Sequence, residues 1–142
     1  MEKAHLKTGS DHIDERGALR FFNNFNMEEV VRFYEIAPSS TAIIRAWQAH
    51  KEEKKWFYCH SGSFMVKLFK IDDFENPSPG LAVETFALNE SDPMILVVPG
   101  GYANGFKAQA EGSKLMVFSN FSVSESQKDD FRYPLDQWPI KW

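Results

Sequence analysis

Cysteine is all but missing. Cys59 is the only one in 142 residues, so the chain can close no internal disulfide and reads as a protein of a reducing compartment. No apolar run approaches the roughly eighteen residues of a membrane span. The opening Met-Glu-Lys-Ala-His carries no hydrophobic stretch of a secretion signal. Together these absences predict a cytoplasmic protein with no membrane partner. A basic stripe is lacking too: the formal net charge is −4, and Arg45, Lys51, Lys54 and Lys55 are diluted by Glu52 and Glu53. That excludes the electrostatic footprint of a general nucleic-acid binder. There is no glycine-rich phosphate loop ahead of a helix, no Gly-x-Ser-x-Gly elbow and no Cys-x-x-Cys pair, which removes the nucleotide-hydrolase, serine-hydrolase and dithiol readings.

Large rings, by contrast, are plentiful: thirteen Phe, four Trp and four Tyr in a chain that is 43% apolar. Such a chain can bury one sizeable core. Its sequence divides into a polar, loose N-terminal segment, 1–13, and a single domain, 14–142. From Phe57 onward it reads as short strands over 64–71, 82–88, 94–98 and 114–119. Asn76-Pro-Ser-Pro-Gly80, Asn89-Glu-Ser-Asp-Pro93 and Pro99-Gly-Gly101 separate them as turns. Strands at that spacing predict an all-β sandwich or closed barrel. The stretch from Ser39 to Lys55 has the propensity of a helix, but no Glu or Gln follows Ser39 or Ser40 by three residues to complete a capping box. Motif spacing reads it as strand instead.

Those motifs are Arg45-Ala-Trp-Gln-Ala-His50-Lys51, followed by Gly62, and Pro99-Gly-Gly-Tyr-Ala-Asn-Gly-Phe106. Their separation resembles that of the two signature motifs of a cupin, an antiparallel jelly-roll β-barrel. A metal-binding cupin presents three His and one Glu there. In this chain the four positions hold Gln48, His50, Lys55 and Asn104, so one ligand of four remains. An ammonium stands where a cation needs an anion, which argues for no metal and no cofactor.

Lysine in the acidic position, with Asp14-Glu-Arg16-Gly17 and Phe21-Phe22-Asn-Asn-Phe25-Asn26 upstream, resembles the dTDP-4-dehydrorhamnose 3,5-epimerase family. The segment from Arg45 to Gly62 is more similar to the related dTDP-sugar 3,4-ketoisomerases. The resemblance implies a cupin-type homodimer that moves a proton next to the ketone of a dTDP-linked 4-keto-6-deoxysugar during polysaccharide precursor synthesis. Such chemistry needs a base, a cation or donor for the enolate oxygen, and an acid to return the proton.

The family's base histidine corresponds to Gln48, whose amide cannot accept that proton. His50, matching a second histidine of the ketoisomerases, is then the expected proton-transfer residue. The resemblance makes Lys55 the enolate stabiliser and Arg16 and Arg45 the diphosphate contacts, with Gln48 and Asn104 as further substrate contacts. The epimerase tyrosine aligns with Met116, which transfers no proton, and Tyr58 or Tyr102 are the available substitutes. A second reading stays open: with Gln48, Asn104 and Met116 replacing acid–base residues, the chain is a non-catalytic cupin that binds a sugar nucleotide, a carbohydrate or a protein partner.

Overall fold

The computed structural model describes residues 2–142. In chain order the strands are β1 (His5–Thr8), β2 (Ser10–Asp14), β3 (Gly17–Phe21), β4 (Arg32–Ile36), β5 (Ile44–His50) and β6 (Lys55–Ser61). There follow β7 (Ser63–Lys70), β8 (Val83–Asn89), β9 (Met94–Val98), β10 (Tyr102–Ala108), β11 (Lys114–Ser119), a short helix α1 (Val123–Gln127) and β12 (Phe131–Arg132). Two five-stranded antiparallel sheets, β1-β9-β6-β11-β4 and β12-β5-β10-β7-β8, face one another, and β2 and β3 form a separate ribbon. This is the all-β, cupin-type jelly roll expected from the motif spacing. The segment with helical propensity is strand β5, paired with β10 from Tyr102↔His50 to Lys107↔Ile44. Within the N-terminal stretch read from sequence as loose, residues 5–8 pair with β9 and residues 10–14 with β3. Met1, the first residue of that stretch, lies outside the described residues.

Period-two alternation explains how each strand serves two layers. The inward residues of both sheets, among them Phe57, Phe64, Leu68, Leu96, Leu115 and Val117, make the barrel core. Part of each sheet's outer face is covered too. Trp47, Ala49, Phe69 and Ala103 on the outside of the second sheet are covered by the C-terminal segment, where Trp138 stacks on Phe69 at 4.2 Å between ring centroids. Trp56, Ile95 and Val97 on the outside of the first sheet lie under Phe22, Phe25 and Val30. Burial on both faces is why Met94-Ile-Leu-Val-Val98 reads as an unbroken apolar run, and why so many large rings are needed. Between β6 and β7, Gly62 has φ +76°, and a Cβ there would collide with Ser113, whose hydroxyl accepts the Ser63 N–H.

One carboxylate fastens the C-terminal segment to the barrel. Asp129 accepts the backbone N–H groups of Lys51, Glu52 and Glu53, each at 2.8 Å, and so holds the whole β5–β6 turn. The helix just before it is fixed by a capping box between Ser122 and Glu125. Asp129→Ala strands three backbone donors where the turn is packed. It is expected to cost about 2–4 kcal/mol in urea unfolding, and a loss under about 0.5 kcal/mol would show that the turn does not depend on this carboxylate.

Candidate functional site

Between the two sheets, at one end of the barrel, lies a cavity of about 350 Å³. That is within the usual range for small-molecule sites. Inward side chains of four strands build it: Tyr34 and Ile36 from β4, Gln48 from β5, Lys55 and Phe57 from β6, and Asn104 and Phe106 from β10. Arg45 from β5 and Arg132 from β12 complete its polar wall. Of the residues expected from sequence, Arg45, Gln48, Lys55 and Asn104 therefore converge. Asn104 sits within β10 opposite Gln48 rather than capping a turn.

The ammonium of Lys55, only 4% exposed, donates to the Tyr34 hydroxyl at 3.1 Å and to Gln48 Oε1 at 3.3 Å. Gln48 Nε2 donates in turn to Asp130 Oδ1 at 3.2 Å. Tyr34 is also faced by the guanidinium of Arg32, 5.2 Å from its ring centre. Three cations, Arg45, Lys55 and Arg132, line the cavity and no Asp or Glu does, in a chain whose net charge is −4. Such a concentration of positive charge attracts anions.

His50 is on the inward face two residues beyond Gln48, 3% exposed, but it does not line the cavity. Its Nδ1 meets the backbone carbonyl of Asp129, which can only accept, so Nδ1 carries the proton and Nε2 the lone pair. Nε2 is the one fully buried side-chain polar atom without a partner among the described residues. Beside it, at 3.4 Å from Nδ1, is the Glu53 carboxylate, fully buried and satisfied by Arg32, Ser119 and Ser126.

Arg16 is elsewhere. It lies at the turn of the β2–β3 ribbon, exposed and paired with Asp14 at 2.7 Å. Neither suggested tyrosine reaches the cavity: Tyr58 packs edge-on against Phe22 outside the first sheet, and the Tyr102 hydroxyl accepts the Ala4 N–H. Met116 lies on the face of β11 opposite Leu115 and Val117, which point into the core. Sequence reasoning missed Tyr34 and Arg132. The alternation in Arg32-Phe-Tyr-Glu-Ile36, half-buried residues on one face and exposed ones on the other, was the available signal for Tyr34. The thiol of Cys59, pushed up to about 11 chiefly by burial, is inert core.

A cupin-type jelly roll with a cationic, hydroxyl-bearing cavity is the class that fold and site define. The chain belongs to the FdtA family (WxcM-like, C-terminal), which it matches over residues 2–134. It is 26% identical to the spore coat polysaccharide biosynthesis protein SpsL of Bacillus subtilis strain 168, across 99% of this chain and 93% of that one. The 3,4-ketoisomerase QdtA of Thermoanaerobacterium thermosaccharolyticum, solved with TDP, has the same fold at a TM-score of 0.72 and 21% identity, over 95% of this chain and 91% of QdtA. The 3'-monoepimerase ChmJ of Streptomyces bikiniensis, solved with dTDP-quinovose, reaches 0.79 at 15% identity, over 99% and 75%. Among the described residues no three of His, Cys, Asp and Glu are grouped to hold a metal ion. Nor is any helix long and apolar enough to cross a membrane.

His50 is held below its ordinary value of 6.5, mainly by burial and next by the charge on Lys55; the Asp129 carbonyl and the charges of Glu53 and Asp129 oppose this without reversing it. The unfolded chain therefore binds a proton at His50 at a pH where the folded one does not. Stability from this group is intact above 6.5 and is lost as pH falls toward the folded value. Between about pH 7 and pH 5, His50→Asn is expected to lose less melting temperature than the parent. Identical losses would mean that His50 adds nothing to the acid sensitivity.

Proposed function

We propose that this chain is an isomerase of a nucleoside-diphosphate-linked 4-keto-6-deoxysugar, with dTDP as the carrier, acting in polysaccharide or glycan precursor synthesis. The observation that carries the reading is the cavity lining: three cations, no carboxylate, and a buried Lys55 bonded to Tyr34 and Gln48. The names of SpsL, QdtA and ChmJ, proteins of sugar biosynthesis or sugar-nucleotide enzymes, support the same substrate class.

In this proposal the sugar ketone lies against Lys55 Nζ. When a proton leaves the neighbouring carbon, negative charge collects on the carbonyl oxygen, and a fixed ammonium stabilises it there more than in the ground state. Tyr34, whose hydroxyl already accepts a hydrogen bond from Lys55, moves the proton at the cavity wall. His50 is the second proton carrier, neutral and with a free Nε2 lone pair on the inward face of β5. Gln48 and Asn104, facing one another across β5 and β10, hold sugar hydroxyls. Returning a proton to the same carbon from the opposite face gives an epimer; protonating the enolate oxygen, removing the proton of the neighbouring hydroxyl and delivering a proton to the former carbonyl carbon gives the shifted ketone. Arg16, out of reach of its own cavity, contacts diphosphate only if the exposed β2–β3 ribbon, with Ile13 and Leu19 open to solvent, is carried onto a second copy in a homodimer.

One feature favours the binding-only alternative: Gln48 stands where the family places its base, and its amide is occupied at both ends. Incubation of the protein with dTDP-4-keto-6-deoxyglucose in deuterated water separates the two. The isomerase reading expects deuterium at the carbon beside the ketone, with the rate falling about 100-fold or more in Tyr34→Phe and Lys55→Met and at least about ten-fold in His50→Asn. Binding of the sugar nucleotide, seen as a raised melting temperature, without any exchange would establish the alternative. Full turnover in His50→Asn would remove that residue from the mechanism.

A further inference from the structure

The C-terminal segment contributes one of the three cavity cations. β12 runs antiparallel to β5, with Phe131 opposite Ala49 and Arg132 opposite Gln48. Directly opposed residues of an antiparallel pair share a face. Phe131 therefore joins the outer aromatic layer with Ala49, and Arg132 points with Gln48 into the cavity wall, where Arg45 also stands.

Among the described residues the only anion on Arg132 is Asp130, two residues earlier on the same segment: Nε donates to Asp130 Oδ1 at 2.9 Å. That oxygen also accepts the Gln48 amide at 3.2 Å. The Arg132 side chain is 70% exposed, so the pair is a weak, solvent-screened one. It engages one donor of a guanidinium that has five and leaves both terminal nitrogens open. Arg45 has no ion-pair partner among the described residues. Two guanidiniums with unused forks on one rim suit a ligand carrying two linked phosphoryl groups.

We propose that Arg132 joins Arg45, the diphosphate contact that the family resemblance implies, to form a clamp, and that Asp130 is an internal carboxylate that occupies Arg132 in the empty site and yields it to phosphate. The identity of the ligand as a sugar nucleotide rests on the function proposed above; the clamp itself does not. It follows that the strap after α1 is part of the binding site as well as of the barrel's outer packing.

Isothermal titration of the full chain with dTDP and, separately, with inorganic pyrophosphate tests this. Arg132→Gln is expected to weaken both ligands by about ten-fold or more, the effect of losing a charge-assisted hydrogen bond, and Arg132→Lys to restore part of it. Asp130→Asn is expected to tighten both by about two- to five-fold, since a competing carboxylate is gone. Circular dichroism should report an unchanged fold for Arg132→Gln, because the side chain is largely exposed. Unchanged affinity for both ligands in Arg132→Gln would overturn the clamp. Arg132-dependent binding of pyrophosphate with no gain from the nucleoside of dTDP would uphold the clamp and sink the dTDP-sugar reading. No binding of either ligand by the parent chain would sink both.

Discussion

The three backbone N–H groups that converge on Asp129 are the contact on which the site depends. The β5–β6 turn must reverse the chain between the two sheets, and its donors, turned away from both ladders, have to be satisfied. A carboxylate from a segment about eighty residues away satisfies all three. The same residue offers its carbonyl to His50, so one residue sets the turn, the imidazole tautomer and the point where the C-terminal segment meets the barrel. From that anchor the chain can run only a few residues along β5, and those residues include Asp130 and Arg132.

This anchoring explains how a polar site survives in an aromatic-rich barrel. The inner core is apolar from Leu88 and Leu96 to Phe57, and polarity is confined to the end where β4, β5, β6 and β10 present Tyr34, Gln48, Lys55 and Asn104. A lysine removed from water there needs partners, and Tyr34 and Gln48 supply them without neutralising its charge. Glu53 could have done so, being nearby, but it is consumed by Arg32, Ser119 and Ser126 on the far side of His50. That buried carboxylate is thus kept out of the cavity lining.

Much of the barrel was legible in the sequence because its strands are bounded by strong turn chemistry. β9 lies between the Asp92-Pro93 and Pro99-Gly-Gly101 turns that predict it, β11 falls on the expected 114–119, and the motif spacing identified β5 against its helical propensity. Four of the six expected site residues share the cavity: alternation along motif strands points Gln48, Lys55 and Asn104 inward, and the register irregularity between β5 and β10 brings Arg45 to the same side. Arg16 and His50 differ in kind. Whether a ribbon turn folds over its own barrel is a tertiary matter that local pattern does not encode, and the burial of His50 depends on Asp129, far along the chain. Arg132 was illegible on the same ground, since a two-residue strand has no periodicity to read. The capping box at Ser122 and Glu125 was readable and marks where the strap begins.

The replacement of a basic histidine by Gln48 has a structural consequence of its own. The amide accepts from an ammonium at one end and donates to a carboxylate at the other, which fixes which atom is oxygen and which is nitrogen. Lys55, Gln48, Asp130 and Arg132 thus form a continuous chain of alternating donors and acceptors across the cavity wall. An imidazolium at position 48 could not accept from Lys55, so a protonated histidine there would break the chain that a glutamine keeps at any pH. Position 48 therefore holds no titrating group, and its amide is fixed at both ends.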